Sequence, residues 1–239
     1  MKIAWRHIKF VVLILLAVGL FAFASNRNAN RLISKPKVEF LGDNNLFITA
    51  DAVSNLLIQK FGNVKNVTKE TLVLNDLEHA LKSNPMIKSA EVYVAVNGAL
   101  TARVEQKTPL ARVNTNASYY VDADGLHMPL SANYSARVPL VTGYVEKNNL
   151  KNIHVVAKKV DEDSFLKKHV VEIKQDVNGV LYLKLRQCGF LVQLGNVNLL
   201  DKKINNLKAF YVKNLKDKTL DHYSKVNLQF DNQVVCTKI

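Results

Sequence analysis

From Phe10 to Ala24 the chain reads FVVLILLAVGLFAFA, fifteen residues without a charge. As a helix this run spans about 22 Å, short of the roughly 30 Å hydrocarbon core of a bilayer. Ile8 and Ser25 extend it, Lys9 is long enough to snorkel, and Trp5 suits the interfacial belt. We read residues 10–25 as a transmembrane helix, with Phe10, Leu13, Leu16, Leu20 and Phe23 as the anchoring side chains and residues 1–9 as a short cytoplasmic tail. A cleavable secretory signal is the competing reading, because a basic start precedes the run and Ala22-Phe23-Ala24 is an A-x-A site. Either reading places the rest of the chain outside the cytoplasm. Residues 26–37, polar and basic with one proline, are a tether.

Beyond the tether the periods change. Val38 and Phe40 alternate with Lys37 and Glu39, a short strand stopped at Gly42-Asp43. Thr49 is placed to cap a helix with Val53, Leu56, Leu57 and Phe61 on one face and Gly62 at its end. Asn75 and Glu78 have capping-box spacing ahead of Leu77, Ala80 and Leu81, and Asn84-Pro85 ends that helix. Then Val92, Val94 and Val96 alternate with Glu91, Tyr93 and Ala95, and Leu100, Ala102 and Val104 alternate with Thr101, Arg103 and Glu105. The Asn97-Gly98 between the two runs predicts a hairpin with a type I′ turn. The order strand, helix, helix, strand, strand makes residues 38–112 a compact α+β module.

Residues 113–239 form a second unit. Ser118–Val121 and Leu126–Pro129 read as strands around an Asp122–Gly125 turn, and Val138–Val141 as a further apolar stretch closed by Gly143. A helix is expected over Asn149–Lys168, with Ile153, Val156, Val160 and Phe165 inward. Strands are expected at His169–Gln175, Val180–Arg186 and Phe190–Leu194. A helix over Leu199–Leu215 carries the stripe Leu200, Ile204, Leu207, Tyr211 and Leu215, and Tyr223–Phe230 and Gln233–Thr237 close the chain as extended segments. The expected unit is a mainly antiparallel β-domain with helices packed on one side.

Charge and chemistry narrow the function. The net charge of +13 is uneven: residues 1–37 hold seven basic residues and no acid, leaving only +6 over the remainder. The densest basic cluster therefore flanks the apolar run, where it meets anionic headgroups, and the lysines of Asp201–Lys218 are a wetted helix face; nucleic acid is not expected as a partner. Cys188 and Cys236 lack a CxxC or a histidine at ligand spacing, and are either two small hydrophobes or a disulfide. The six histidines, His7, His79, His127, His154, His169 and His222, fall on separate elements. No GxSxG, Walker loop or GxGxxG occurs. Asp122 and Asp124 read as turn carboxylates bonding their own backbone, and Asp161, Glu162 and Asp163 as an exposed helix face. The sequons at Asn66, Asn116 and Asn133 are at chance frequency. No catalytic residue, cofactor, metal or small-molecule substrate is expected, and the chain is not read as an enzyme.

The order of local words resembles the FtsQ/DivIB cell-division family. In the first module these are Asn84-Pro85-Met86-Ile87-Lys88-Ser89-Ala90-Glu91-Val92 and the stretch from Leu100 through Thr108-Pro109-Leu110-Ala111. In the second they are Tyr119–Gly125, Pro139-Leu140-Val141-Thr142-Gly143, the Lys203–Tyr211 helix and the closing Asn232–Lys238. The resemblance implies a bitopic protein of the bacterial inner membrane, amino terminus cytoplasmic, with a POTRA-like domain and a β-domain in the periplasm or its equivalent. It implies a scaffold at the division septum that links coiled-coil partners of the FtsB/DivIC and FtsL type to septal peptidoglycan synthesis. It places the partner-binding strand edge at Phe230, Asn232, Gln233, Val234 and Val235. The short tail, about nine residues, leaves little surface for a cytoplasmic partner. The alternatives are a POTRA-bearing outer-membrane assembly or secretion component, which calls for tandem modules or a barrel, and an exported cell-wall enzyme, which calls for a paired acid and base.

Overall fold

A computed structural model describes residues 5–29, 36–43, 45–61, 73–95, 97–115, 117–231 and 233–239, without the side chains of Arg6, Asn28, Ala29 and Phe61. Lys2, Arg31, Lys35, Gly62, Val96 and Asn232, and the sequons at Asn66 and Asn116, lie outside the described residues. The chain divides into two units, Met1–Gln106 and Lys107–Ile239.

Helix α1 covers Trp5–Ala29 and is longer than the uncharged run. Its apolar, lipid-length portion is His7–Arg27, 21 residues or about 31 Å, which matches a bilayer core. The helix is continuous through Ala22-Phe23-Ala24. Its large side chains, among them Phe10, Leu13, Leu16, Leu20 and Phe23, are exposed. That is the expected state of an apolar helix whose natural solvent is lipid.

The rest of the first unit is β1 (Lys37–Leu41), α2 (Ala50–Phe61), α3 (Leu74–Lys82), β2 (Ile87–Val94) and β3 (Leu100–Gln106), with sheet order β1-β3-β2. Thr49 caps α2 as expected, its Oγ1 accepting from the Ala52 N–H at 3.2 Å. The capping box at Asn75 is absent. α3 starts two residues earlier, after Val73, and the Glu78 carboxylate reaches across to accept the Val92 N–H at 2.9 Å.

The hairpin closes differently from the expected two-residue turn. Gly98 N–H donates to Ala95 O, Ala95 N–H donates to Ala99 O, and Val94 pairs with Leu100. Three residues therefore separate the closing pair, and Gly98 takes φ +86°. The hydrophobic pattern demands this register. Directly opposed residues share a face, and this register sets Val92 and Val94 against Ala102 and Leu100. A two-residue loop would shift the pairing by one and set each valine's neighbour, polar or small, against those positions. Val53, Leu57, Leu77, Leu81, Val92, Leu100, Ala102 and Val104 form the core of this unit.

The second unit contains β4 (Pro109–Asn114), β5 (Ser118–Asp122), β6 (His127–Met128), β7 (Leu140–Gly143), α4 (Lys151–Glu162), α5 (Ser164–His169), β8 (Val170–Gln175), β9 (Leu181–Leu185), β10 (Leu191–Gly195), α6 (Leu200–Lys216), β11 (Tyr223–Asn227) and β12 (Val235–Lys238). Strand β4 pairs with β5 and β7, so residues 107–112 go with this unit rather than with the first. The nine strands run in the order β12-β11-β10-β9-β8-β7-β4-β5-β6.

The sheet is mostly antiparallel, but β4–β7, β7–β8 and β10–β11 are parallel. Parallel neighbours need a crossover, and α4–α5 and α6 supply two of the three. Ile153, Val156, Ala157 and Val160 of α4 and Ile204 and Leu207 of α6 share one core with Ile173, Leu183 and Val192 of the sheet. The expected 149–168 helix is broken at Asp163, whose Oδ1 accepts the Phe165 and Leu166 N–H groups and starts α5. Asp163 is thus a nearly buried cap bonded to Lys208, unlike exposed Asp161 and Glu162. Leu166 takes the fully buried place expected of Phe165, and Leu215 is exposed, off the α6 stripe.

Candidate partner-binding edge

The chain's last strand, β12, is an outer strand of the nine-stranded sheet. It pairs with β11 only on one side, with Cys236 opposite Val226 and Val235 opposite Asn227. In such a strand alternate peptide groups face away from the neighbour, and among the described residues no strand pairs with that other edge. The opposite end of the sheet is the two-residue β6. The long open edge therefore lies at β12.

Side chains alternate across this edge. Val234 and Cys236 turn toward the core, while Gln233, Val235 and Thr237 are exposed, Val235 at 41%. Beside the inward pair is a groove of about 630 Å³, walled by Phe210 and Lys213 of α6, by Tyr223, and by Gln233, Val234 and Cys236. Phe210 and Tyr223 meet edge-on at 5.3 Å. The α6 wall was not among the residues predicted for the site; the only signal for it is that Phe210 sits off the main apolar stripe of its helix.

The predicted set is divided by the structure. Val235 is in the strand, and Gln233 and Val234 lead into it and line the groove. Phe230 is in the preceding turn, 46% exposed, after β11 has ended at Asn227. Strand β12 itself continues to Lys238, further than the predicted segment.

Groups with more reactive alternatives are held in structural roles. Asp122 is fully buried: its Oδ1 accepts the Asp124 and Leu126 N–H groups at 3.0 and 2.7 Å, and its Oδ2 accepts from Lys107 Nζ at 2.7 Å. Cys188 and Cys236 are free, half-buried thiols, and burial pushes both above the usual thiol range. His169 packs at a tilt against both Phe165 and Tyr211, and burial, with the charges of Lys168 and Arg186, holds it below the ordinary histidine value. Burial acts likewise on His127, which stacks on Tyr119. Among the described residues no three His, Cys, Asp or Glu side chains cluster as a metal site.

A βααββ module, then a mixed sheet with a terminal outer strand, both following in sequence a helix long and apolar enough to cross a membrane, define a class of two-domain protein consistent with a single membrane span. Residues 108–237 match the family model "FtsQ/DivIB, C-terminal related", and residues 42–105 match that of the POTRA-like domain. The first match covers more than half of the chain, which belongs to the FtsQ/DivIB-related family. A search of curated proteins found no match.

Proposed function

We propose that this chain is a single-pass scaffold of the bacterial cell-division machinery, amino terminus cytoplasmic and both domains outside, concentrated at the septum. It works by binding and carries no reactive centre. Strand β12 takes up an extended segment of a coiled-coil division partner of the FtsB/DivIC and FtsL type, continuing the sheet by one strand. The observation that carries this reading is the unpaired edge of β12 in a chain of this family. Strand addition satisfies the free peptide groups, and alternate side chains of the guest meet the exposed residues and the Phe210–Tyr223 groove, which supplies specificity. Family membership supports the further reading that the chain links such partners to septal wall synthesis. The test is co-purification of the full chain with a coiled-coil division partner, comparing wild type with Val235→Lys. A charge at the exposed edge position blocks pairing with little effect on folding, so captured partner falls at least about tenfold. Unchanged capture refutes the edge assignment.

A further inference from the structure

A second cleft, of about 320 Å³, lies where α4, α5 and the starts of β7 and β8 meet. Its apolar lining includes Leu110, Val138, Pro139, Val160 and Val170, three of them buried members of the main core. Its polar rim is Arg137, Arg186, Lys167 and Asp161. Lys167 Nζ donates to Asp161 Oδ1 at 2.7 Å, so those two charges neutralise each other. Arg137 and Arg186 are exposed, and neither guanidinium meets a carboxylate among the described residues. The cleft therefore presents two unpaired planar cations over an apolar floor. It shares no lining residue with the groove beside β12.

Each half of this arrangement excludes a class of occupant. A polyanion without apolar groups would leave the floor wet, and an uncharged apolar segment would leave both guanidiniums unmatched. The volume is at the low end for ligand sites, enough for one or two side chains. Guanidinium forks bind carboxylates in a bidentate manner, with directionality that a lysine lacks. We infer that this cleft is a second protein-binding site, which takes an acidic peptide segment of a partner whose carboxylate side chains flank an aliphatic or aromatic one. It is independent of the strand edge.

The test uses the full chain in detergent micelles and a fluorescent nine-residue peptide alternating glutamate with leucine and phenylalanine, followed by anisotropy at 150 mM salt, where the Debye length is about 8 Å. The chain binds this peptide, and the counterpart with glutamine for glutamate binds at least about tenfold more weakly. The double variant Arg137→Gln, Arg186→Gln loses a similar factor or more, while Lys184→Gln, at an exposed position of β9, leaves binding within about twofold. An equal loss in Lys184→Gln, or no loss in the arginine double variant, overturns the assignment. Equal binding of a glutamate–glycine peptide lacking apolar residues makes the site a general anion site and overturns the peptide reading.

Discussion

Removing the Asp122 carboxylate tests whether the second unit is organised as described. Asp122→Ala leaves the Asp124 and Leu126 N–H groups without their acceptor, at about 1 kcal/mol or more each. It also strands Lys107, whose side chain is only 15% exposed and loses its 2.7 Å partner. Breaking a buried ion pair from one side costs about 3–5 kcal/mol. Lys107 has a partial route to water, so a total near 4 kcal/mol is expected. Asp122→Asn keeps an Oδ1 acceptor for both N–H groups but turns its amide NH2 toward the Lys107 ammonium, so it loses the ion pair as the alanine variant does and keeps only the two N–H bonds, a loss of about 2 kcal/mol. Urea unfolding of the full chain in micelles, followed by near-UV circular dichroism, reads this unit selectively, because seven of the eight tyrosines lie beyond residue 106. With a slope near 2 kcal/mol per M, the alanine variant moves the midpoint down by about 2 M and the asparagine variant by about half of that. Equal small shifts, both below about 0.5 kcal/mol, would falsify the buried pair.

Three further outcomes follow from single contacts. Gln106→Ala orphans the Phe47 and Ile48 N–H groups and the Ile48 carbonyl, all bonded to one buried side chain at 2.8–3.2 Å; hydrogen exchange should show the 47–48 turn opening and the first unit weakened by about 2–4 kcal/mol. Gly143→Ala sets a Cβ 2.0 Å from the Gln175 carbonyl oxygen at φ +87°, so a loss of roughly 3 kcal/mol or more is expected in thermal unfolding. Burial works to raise the Asp163 carboxyl, but the Lys208 bond and the Leu166 and Phe165 N–H groups outweigh it and hold the group below its usual value. Its contribution is present above about pH 4 and is lost as pH falls toward the lowered folded value. Asp163→Asn should flatten that part of the acid-unfolding curve; an unchanged curve counts against the cap.

Faces were legible in the sequence, and neighbours were not. Alternation put Val92, Val94, Leu100, Ala102 and Val104 on one side, and those residues are buried together or half-buried against that core. The same alternation could not say that β11 lies parallel to β10, because a strand's pattern reports what it buries and not which strand it bonds. The turn was misread for a related reason. Asn-Gly favours a two-residue loop locally, but matching the two apolar faces requires three, and burial outweighs turn preference. Asp163 read as solvent-exposed because it follows Asp161 and Glu162 in a charged run; only the tertiary approach of Lys208 makes it a cap. The open edge depended on sheet order, which the resemblance supplied and the residues alone did not. The Phe210 wall of the groove needed α6 in place.

The most direct measurement is amide hydrogen exchange of the full chain with and without a coiled-coil division partner. The account predicts that amides within Val235–Lys238 gain protection on binding, because a guest strand bonds the outer edge beside the groove. Strong complex formation with no change in exchange across Val235–Lys238 contradicts it.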